Sequence, residues 1–361
     1  MDCDVLVVGA GPGGCALAYA LRQAGWQVVL AERRQYPVDK LCGEFLSPEG
    51  LQSLEQMGLG AVSTAFPPIG EVLVSSVSGK SWQAPLPAAG AGCSRRRLDA
   101  LLMARCAAIG VEVVQGVRVG QIEGKEKSGF MISLQNKQVK ARLVVGAWGR
   151  QGRGTWGERG EWMALKVHAK GSCPGVELHS FPGGYAGLCQ VEDQQVNLCL
   201  LTRAAAFRQA GGDHQRFSAE IMSINPLLAT RLAELNPNWD QALSAANLRF
   251  GSAACQADGI LLVGDAAGAI APLCGDGMAM ALRSGELLAP LADRFLCGAL
   301  SWPALADQYS QRWQSEFRLR LQLGGIMQQV LLRPGWTRAA LGLLRCFPRV
   351  GQGLFRWTRG G

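Results

Sequence analysis

Apolar positions along this chain fall into three regimes. The first residues, "DVLVVGAGPGGCALAYALRQAGWQVVLAERR", begin with the unbroken run Val5–Val8. They continue through a glycine turn into helix-spaced Leu17 and Leu21, and end in a second run, Val28–Ala31. Continuous short runs are the mark of strands buried on both faces, so this segment is predicted to be strand, helix and parallel strand. Late in the chain "GILLVGDAAGAIAPLCGDGMAMALRSGELLAPLADRF" repeats the order, with a buried strand, a Gly-Asp turn, and a helix whose start is rich in glycine. Between them the period changes to two. "WMALKVHAKG" and "VELHSFPGGYAGLCQVEDQQVNLCLLT" alternate along strands broken at Gly-Gly and Glu-Asp, which predicts an antiparallel sheet; residues 71–92 add a hairpin to it, and residues 204–236 read as one or two helices. From residue 304 onward the pattern is helical, interrupted at "RPGW" and "CFPR".

These patterns divide the chain into a discontinuous nucleotide-binding unit (1–70, 93–155 and 250–298), a second unit for substrate (71–92 and 156–249) and a tail (299–361). A chain of 361 residues is long enough to bury a core in each of two units. No run of about 18 apolar residues is free of charge or of breaking Gly and Pro, and no signal peptide precedes the first strand, so a cytoplasmic protein is expected. Twelve cysteines, none spaced C-x-x-C, fit reduced thiols better than a disulfide framework. His168, His179 and His214 show no metal-ligand spacing, and no metal is expected. Charge changes the picture at one place. Residues 1–311 balance 27 Lys and Arg against 27 Asp and Glu, whereas residues 312–361 hold nine arginines against Glu316 alone. That distribution argues against nucleic acid as a partner of the main body and marks a basic surface on the tail.

The first glycine turn is G-x-G-x-x-G, with Gly9, Ala10, Gly11, Pro12, Gly13 and Gly14. Gly9 permits the tight turn, Gly11 lets a pyrophosphate approach the backbone, and Gly14 lets the helix lie close to the strand. Phosphates then meet N–H groups at the helix start, and Glu32, about 20 residues on, accepts from a ribose; Arg33 and Val117 are placed at the same end. This turn does not choose between NAD and FAD. The second turn does, because FAD is long enough to span a domain. Gly264 and Asp265 sit where a ribityl hydroxyl would be held, and Pro272, Gly275, Gly277 and Met278 open a helix whose dipole favours an anionic reduced flavin.

At these residues the sequence resembles the FAD-dependent monooxygenase superfamily, and within it the geranylgeranyl-reductase-like branch. The resemblance rests on "GAGPGG" with Glu32, on "SRRRLDALL", on "GDAAG" with "PLCGDGM", and on "KLCGEFLSP". It implies a fold of the glutathione-reductase type: an α/β two-dinucleotide-binding FAD domain with a parallel Rossmann-like sheet, an antiparallel-sheet substrate domain and a C-terminal helical segment. It also implies that Arg95 contacts the cofactor and that Cys42 and Gly43 form an active-site pair. Each residue keeps a plainer alternative. Cys42 also suits an inert buried thiol, Arg95 a solvated charge run and Asp276 a helix N-terminus, and Tyr185, which in "FPGGYAGL" would line the active-site pocket, also suits a core tyrosine.

Two departures from the family stand out. Trp148 replaces the acid that usually precedes Gly149 and Arg150, which puts direct reduction by a nicotinamide in doubt and leaves the donor as NAD(P)H or a partner reductase. Gly187 stands where a tryptophan would be, opening space over the ring or altering the substrate. A W-x-W-x-I-P element is missing, so flavin halogenases fit poorly. The implied activity is reduction of a carbon–carbon double bond in an apolar, isoprenoid or polyketide-like substrate, with Cys42, Glu44 or Asp276 supplying the proton. Hydroxylation through a flavin C4a-hydroperoxide is the alternative, and a non-catalytic prenyl or flavin carrier a third. The tail is expected either to cap the substrate opening or to rest on anionic lipid at the inner face of a membrane, with Trp313, Phe317, Phe355 and Trp357 inserted.

Overall fold

The computed structural model describes residues 2–125, 129–134, 137–151, 160–347 and Gly353. Its first sheet has the order Gln256–Ala257, Ile260–Leu262, Lys137–Gly146, Asp2–Val8, Val28–Glu32, Glu112–Gln115. The pairings from Ile260–Leu262 through to Glu112–Gln115 are all parallel, as the continuous apolar runs require. Gly129–Leu134 and Val119–Lys125 extend this sheet as an antiparallel flap from Lys137–Gly146. The helices Pro12–Gln23 and Gly277–Leu296 lie against each other beside the sheet. Their contact is close because Gly285 has no side chain. A Cβ there would sit 2.5 Å from Gly13 O.

The second sheet has eight strands in the order Leu243–Leu248, Trp162–Lys170, Gln195–Arg203, Gly184–Val191, Val176–Phe181, Pro68–Ser75, Ser81–Gly92, Phe45–Leu46. Its alternation separates two faces. Leu165 and Val167 pack with Phe217 and Leu228 of the helices behind the sheet, whereas Ala164, Tyr185 and Leu201 belong to the core shared with the nucleotide-binding sheet. In register on that front face lie Lys166, Cys199 and Gly187, followed by His168, Asn197 and Cys189. The predicted edges shift slightly. Phe45–Leu46, before residue 71, and Pro68–Ser75, which starts three residues ahead of it, pair within this second sheet, and residues 204–236 form three short α-helices, Ala204–Gln209, His214–Glu220 and Pro226–Leu235.

The tail forms two helices, Trp302–Leu331 and Pro334–Cys346, parted where "RPGW" was read as a break. One expectation is overturned here. Trp313 and Phe317 are buried, the Trp313 ring against Gly268, and are not available to insert into lipid. Phe355 and Trp357 lie outside the described residues. Among the described residues no helix is long and apolar enough to cross a membrane.

Candidate active site

The glycine turn after Asp2–Val8 behaves as its spacing requires. Gly9 adopts φ +113°, and a Cβ on Gly14 would lie 2.0 Å from Gly9 O. Gly11 differs. A Cβ there would meet only Arg95 Nη2, at 3.9 Å, so the space beside this backbone is open and faces a guanidinium. No side chain caps the helix that starts at Pro12, leaving its N-terminus to an anion. Glu32 is buried and accepts from Ala10 N and Arg34 N, both at 3.0 Å, while its carbonyl accepts from Val117 N at 3.0 Å. Glu32, Arg33 and Val117 therefore share one end of the site.

Arg95 is fixed from its own helix, Arg95–Ala108, by two bonds to Asp99 at 2.9 and 2.8 Å, and Lys40 reaches the same carboxylate at 2.9 Å. Burial alone would push the Asp99 carboxyl up; Arg95 and Lys40 outweigh it and hold it below its usual value. Arg95, sharing its counter-charge with Lys40, thus presents positive charge to the open space beside Gly11. At the second turn Asp265 accepts from Arg150 Nε at 2.8 Å, and Arg150 lies over the Phe250 ring. Trp148 packs its ring over Gly146, and its indole N–H is buried without an acceptor among the described residues. The open face of Gly11 and the cationic pair suit the phosphates of FAD.

The loop carrying Cys42 bridges the two sheets. Cys42 is half-buried; its sulfur accepts from Glu44 N at 3.4 Å and its carbonyl from Asn197 Nδ2 at 2.9 Å. Glu44 is fully buried in a left-handed conformation, φ +59°. Its carboxylate takes Arg95 N at 2.7 Å, His168 Nε2 at 2.6 Å and Lys166 Nζ. A group so surrounded by donors acts as an acceptor. Lys166, His168 and Asn197 went unrecognised in the sequence. The available signal was the parity of "MALKVHA", which puts Lys166 and His168 on the face opposite the buried Leu165 and Val167.

Asp276 precedes the helix Gly277–Leu296 but does not cap it. Its carboxylate instead accepts from Ser47 Oγ at 3.0 Å and from Arg320 Nη1 at 3.2 Å, and Arg320 also grips Glu49 and Glu316 at 2.6 and 2.7 Å. Burial pushes the Asp276 carboxyl up to about 7, with Arg320 opposing and Glu49 adding to the shift. Tyr185 is buried; its hydroxyl accepts from Leu273 N at 3.2 Å and donates to Gln328 at 3.3 Å. Gly187 leaves room for a Cβ at ordinary contact distances. A cleft of about 710 Å³ opens beside Ala271, walled by Trp162, Leu248, Phe250, Leu321 and Gln328 among others.

The FAD binding domain family matches residues 2–312 of this chain. The chain belongs to that family. It is an FAD-dependent oxidoreductase of the monooxygenase superfamily, similar to the geranylgeranyl reductases. Digeranylgeranylglycerophospholipid reductase 2 of Methanopyrus kandleri is 27% identical over 356 residues, covering 88% of this chain and 83% of the relative. Menaquinone reductase of Mycobacterium tuberculosis is 27% identical over 355 residues, covering 89% and 84%. Among solved structures, the flavin-dependent brominase Bmp2 superposes with a TM-score of 0.82 at 18% identity, covering 99% of this chain and 93% of that one, a likeness of fold.

Proposed function

We propose that the enzyme reduces a carbon–carbon double bond in a long, apolar, isoprenoid-like substrate. The observation that carries this reading is the cleft beside Ala271. Its walls set Trp162, Leu248, Phe250 and Leu321 beside Glu161, Arg249 and Gln328, so it offers apolar surface to a hydrocarbon chain and polar groups to a head group, and it opens beside the turn that leads into the glycine-rich helix start. The two relatives named above are both reductases by name, and both names denote lipids with isoprenoid chains.

The residues around Gly11, Arg95 and Asp265 would hold FAD, which when bound and reduced would supply the hydride, with its two electrons, to one carbon of the double bond. The protein must bind the substrate, exclude water and deliver a proton to the other carbon. Cys42 is the group assigned to that proton. Of the three acids considered, Glu44 already accepts three hydrogen bonds and Asp276 is enclosed by Ser47 and Arg320, whereas the Cys42 thiol is half-buried on the bridging loop.

A second cluster has the form of a nucleophile relay. Ser75 Oγ meets His179 Nδ1 at 2.7 Å, and His179 Nε2 meets Glu177 at 2.8 Å. Ser75 and His179 are fully buried, and Asn225 Nδ2 already bonds Ser75 Oγ at 2.8 Å. This network pins the helix Pro226–Leu235 to the sheet and has no part in the chemistry proposed.

The test is anaerobic photoreduction of the purified flavoprotein, followed by addition of a lipid bearing a geranylgeranyl chain. Reoxidation of the flavin with a gain of two mass units in the lipid is expected. Oxygen consumption that starts only with substrate and gives a product heavier by one oxygen would replace this reading with hydroxylation.

A further inference from the structure

The tail helices present two different sides. One side of Trp302–Leu331 lines the cleft through Leu321, Gly325, Gln328 and Gln329. The side turned away from it carries Leu319 and Ile326, seven residues apart and each more than half exposed. The next helix repeats the feature. Leu341 is buried and Leu344 packs on the cluster around Trp82, yet Trp336, Leu343 and Phe347, at i, i+7 and i+11, form a stripe in which each residue is more than half exposed. Five of the eight large apolar side chains that the described residues expose thus lie between positions 319 and 347. Scattered exposed apolar residues need no explanation; a concentration of this kind does.

Charge identifies what covers it. From residue 308 to 347 the sole acid is Glu316, and it pairs inward with Arg320 and Arg283. The five remaining arginines of the two helices and their junction, Arg312, Arg318, Arg333, Arg338 and Arg345, are exposed, but helical phase puts only Arg312 on the side of Leu319 and Ile326, Arg345 is bonded to Ser81 O, and the Arg333 guanidinium lies over the Trp336 ring. Tryptophan, phenylalanine and leucine interleaved with arginine and without acid match the boundary between lipid headgroups and acyl chains. We propose that the outward faces of these two helices form a docking surface for an anionic lipid bilayer, with Trp336, Leu343 and Phe347 entering the headgroup boundary. The burial of Trp313 and Phe317 moves the contact from the residues first expected to the opposite side of the first helix and to the second. The surface stands independently of which reaction the flavin performs.

The test is co-sedimentation of the full-length flavoprotein with phosphatidylglycerol vesicles and with phosphatidylcholine vesicles, at low and at moderate salt. Binding to the anionic vesicles is expected, falling steeply as salt rises. Replacing Arg312 and Arg333 by glutamine should weaken it roughly fivefold per residue removed from the headgroup layer. Trp336→Ser with Leu343→Ser and Phe347→Ser should abolish the binding that persists at moderate salt, while FAD content stays unchanged in both variants because all these side chains are exposed. Equal binding to neutral vesicles, wild-type binding by the arginine variant, or no binding at low salt would each overturn the proposal. Retention on immobilised polyglutamate without vesicle binding would overturn it in favour of an acidic protein partner.

Discussion

Arg320 of the tail helix donates to Asp276 Oδ2 at 3.2 Å, so the turn at the start of the glycine-rich helix is held by a residue 44 positions away. Both groups are buried, and the pair extends to Ser47, Glu49 and Glu316. The tail is therefore structural to the flavin unit as well as a wall of the cleft. Asp276 titrates at about 7, above its unfolded value of 3.8. The protonated form is thus favoured by folding, and this group's contribution is complete below about pH 4 and is lost as pH rises through about 7. Asp276→Asn removes that dependence. The melting temperature of the variant minus that of the wild type should increase between pH 4 and pH 7. A difference that does not change with pH would rule the titration out. Arg320→Met should be the more damaging change, costing about 3 kcal/mol, because Asp276 and Glu49 lose their cation together while Glu316 keeps only Arg283.

Trp148 bears on the supply of electrons. The acid usual at this position in the superfamily is absent, and the indole packs over Gly146 at the end of the strand Lys137–Gly146. NADPH or NADH alone should bleach the bound flavin slowly, with faster reduction when a partner reductase or free reduced flavin is supplied. Stopped-flow absorbance under nitrogen measures this directly. Rapid stoichiometric bleaching by NADPH without substrate would assign direct reduction instead.

The glycines of the first turn should separate by function. A valine side chain at Gly11 enters open space next to Arg95, so Gly11→Val should fold normally and purify largely colourless. Gly14→Ala sets a methyl group 2.0 Å from Gly9 O and should lower stability whether or not FAD is present. Asp265→Ala removes a charged acceptor and should weaken FAD roughly ten- to a hundredfold. Flavin content and thermal melts, taken together, distinguish the three.

The nucleotide unit was readable because its signals are local. Val5–Val8, the glycine spacing and Glu32 all lie within one strand–helix–strand unit, and the period-two segments marked the second sheet in the same way. What joins the sheets was not readable. Glu44 meets Lys166 and His168 across more than 120 residues, and Asp276 meets Ser47 across 229. No periodicity encodes such pairings. A buried charge in the sequence says only that some partner exists. Trp313 and Phe317 failed for a related reason: aromatic residues beside arginines read as interfacial, but helical phase turns these two inward, where Gly268 leaves a hollow for the Trp313 ring.

The last prediction concerns the bridge itself. Glu44 occupies a left-handed backbone conformation two residues after Cys42, a strained state for a residue with a Cβ. Three donors hold it there, Arg95 N from the helix Arg95–Ala108 and the buried Lys166 with His168 from the strand Trp162–Lys170. Glu44→Gln leaves the buried Lys166 only the more distant Asp39, at 3.9 Å, as counter-charge, and Lys166→Met leaves Glu44 without one of its two side-chain donors; each should cost about 3 kcal/mol. The double variant leaves neither charge unmatched, so it should be more stable than the sum of the two losses requires, a coupling that a denaturant double-mutant cycle reads directly. His168→Asn should be milder, since Lys166 and the Arg95 N–H remain. Glu44→Gly distinguishes the two sources of the effect. It relieves the backbone strain while deleting the carboxylate, so if the ion pair is what holds the loop this variant should also be destabilised, and mass-mapped alkylation of Cys42 should quicken. A Glu44→Gly protein as stable as wild type, with Cys42 no more reactive, would show that the carboxylate does not position the loop.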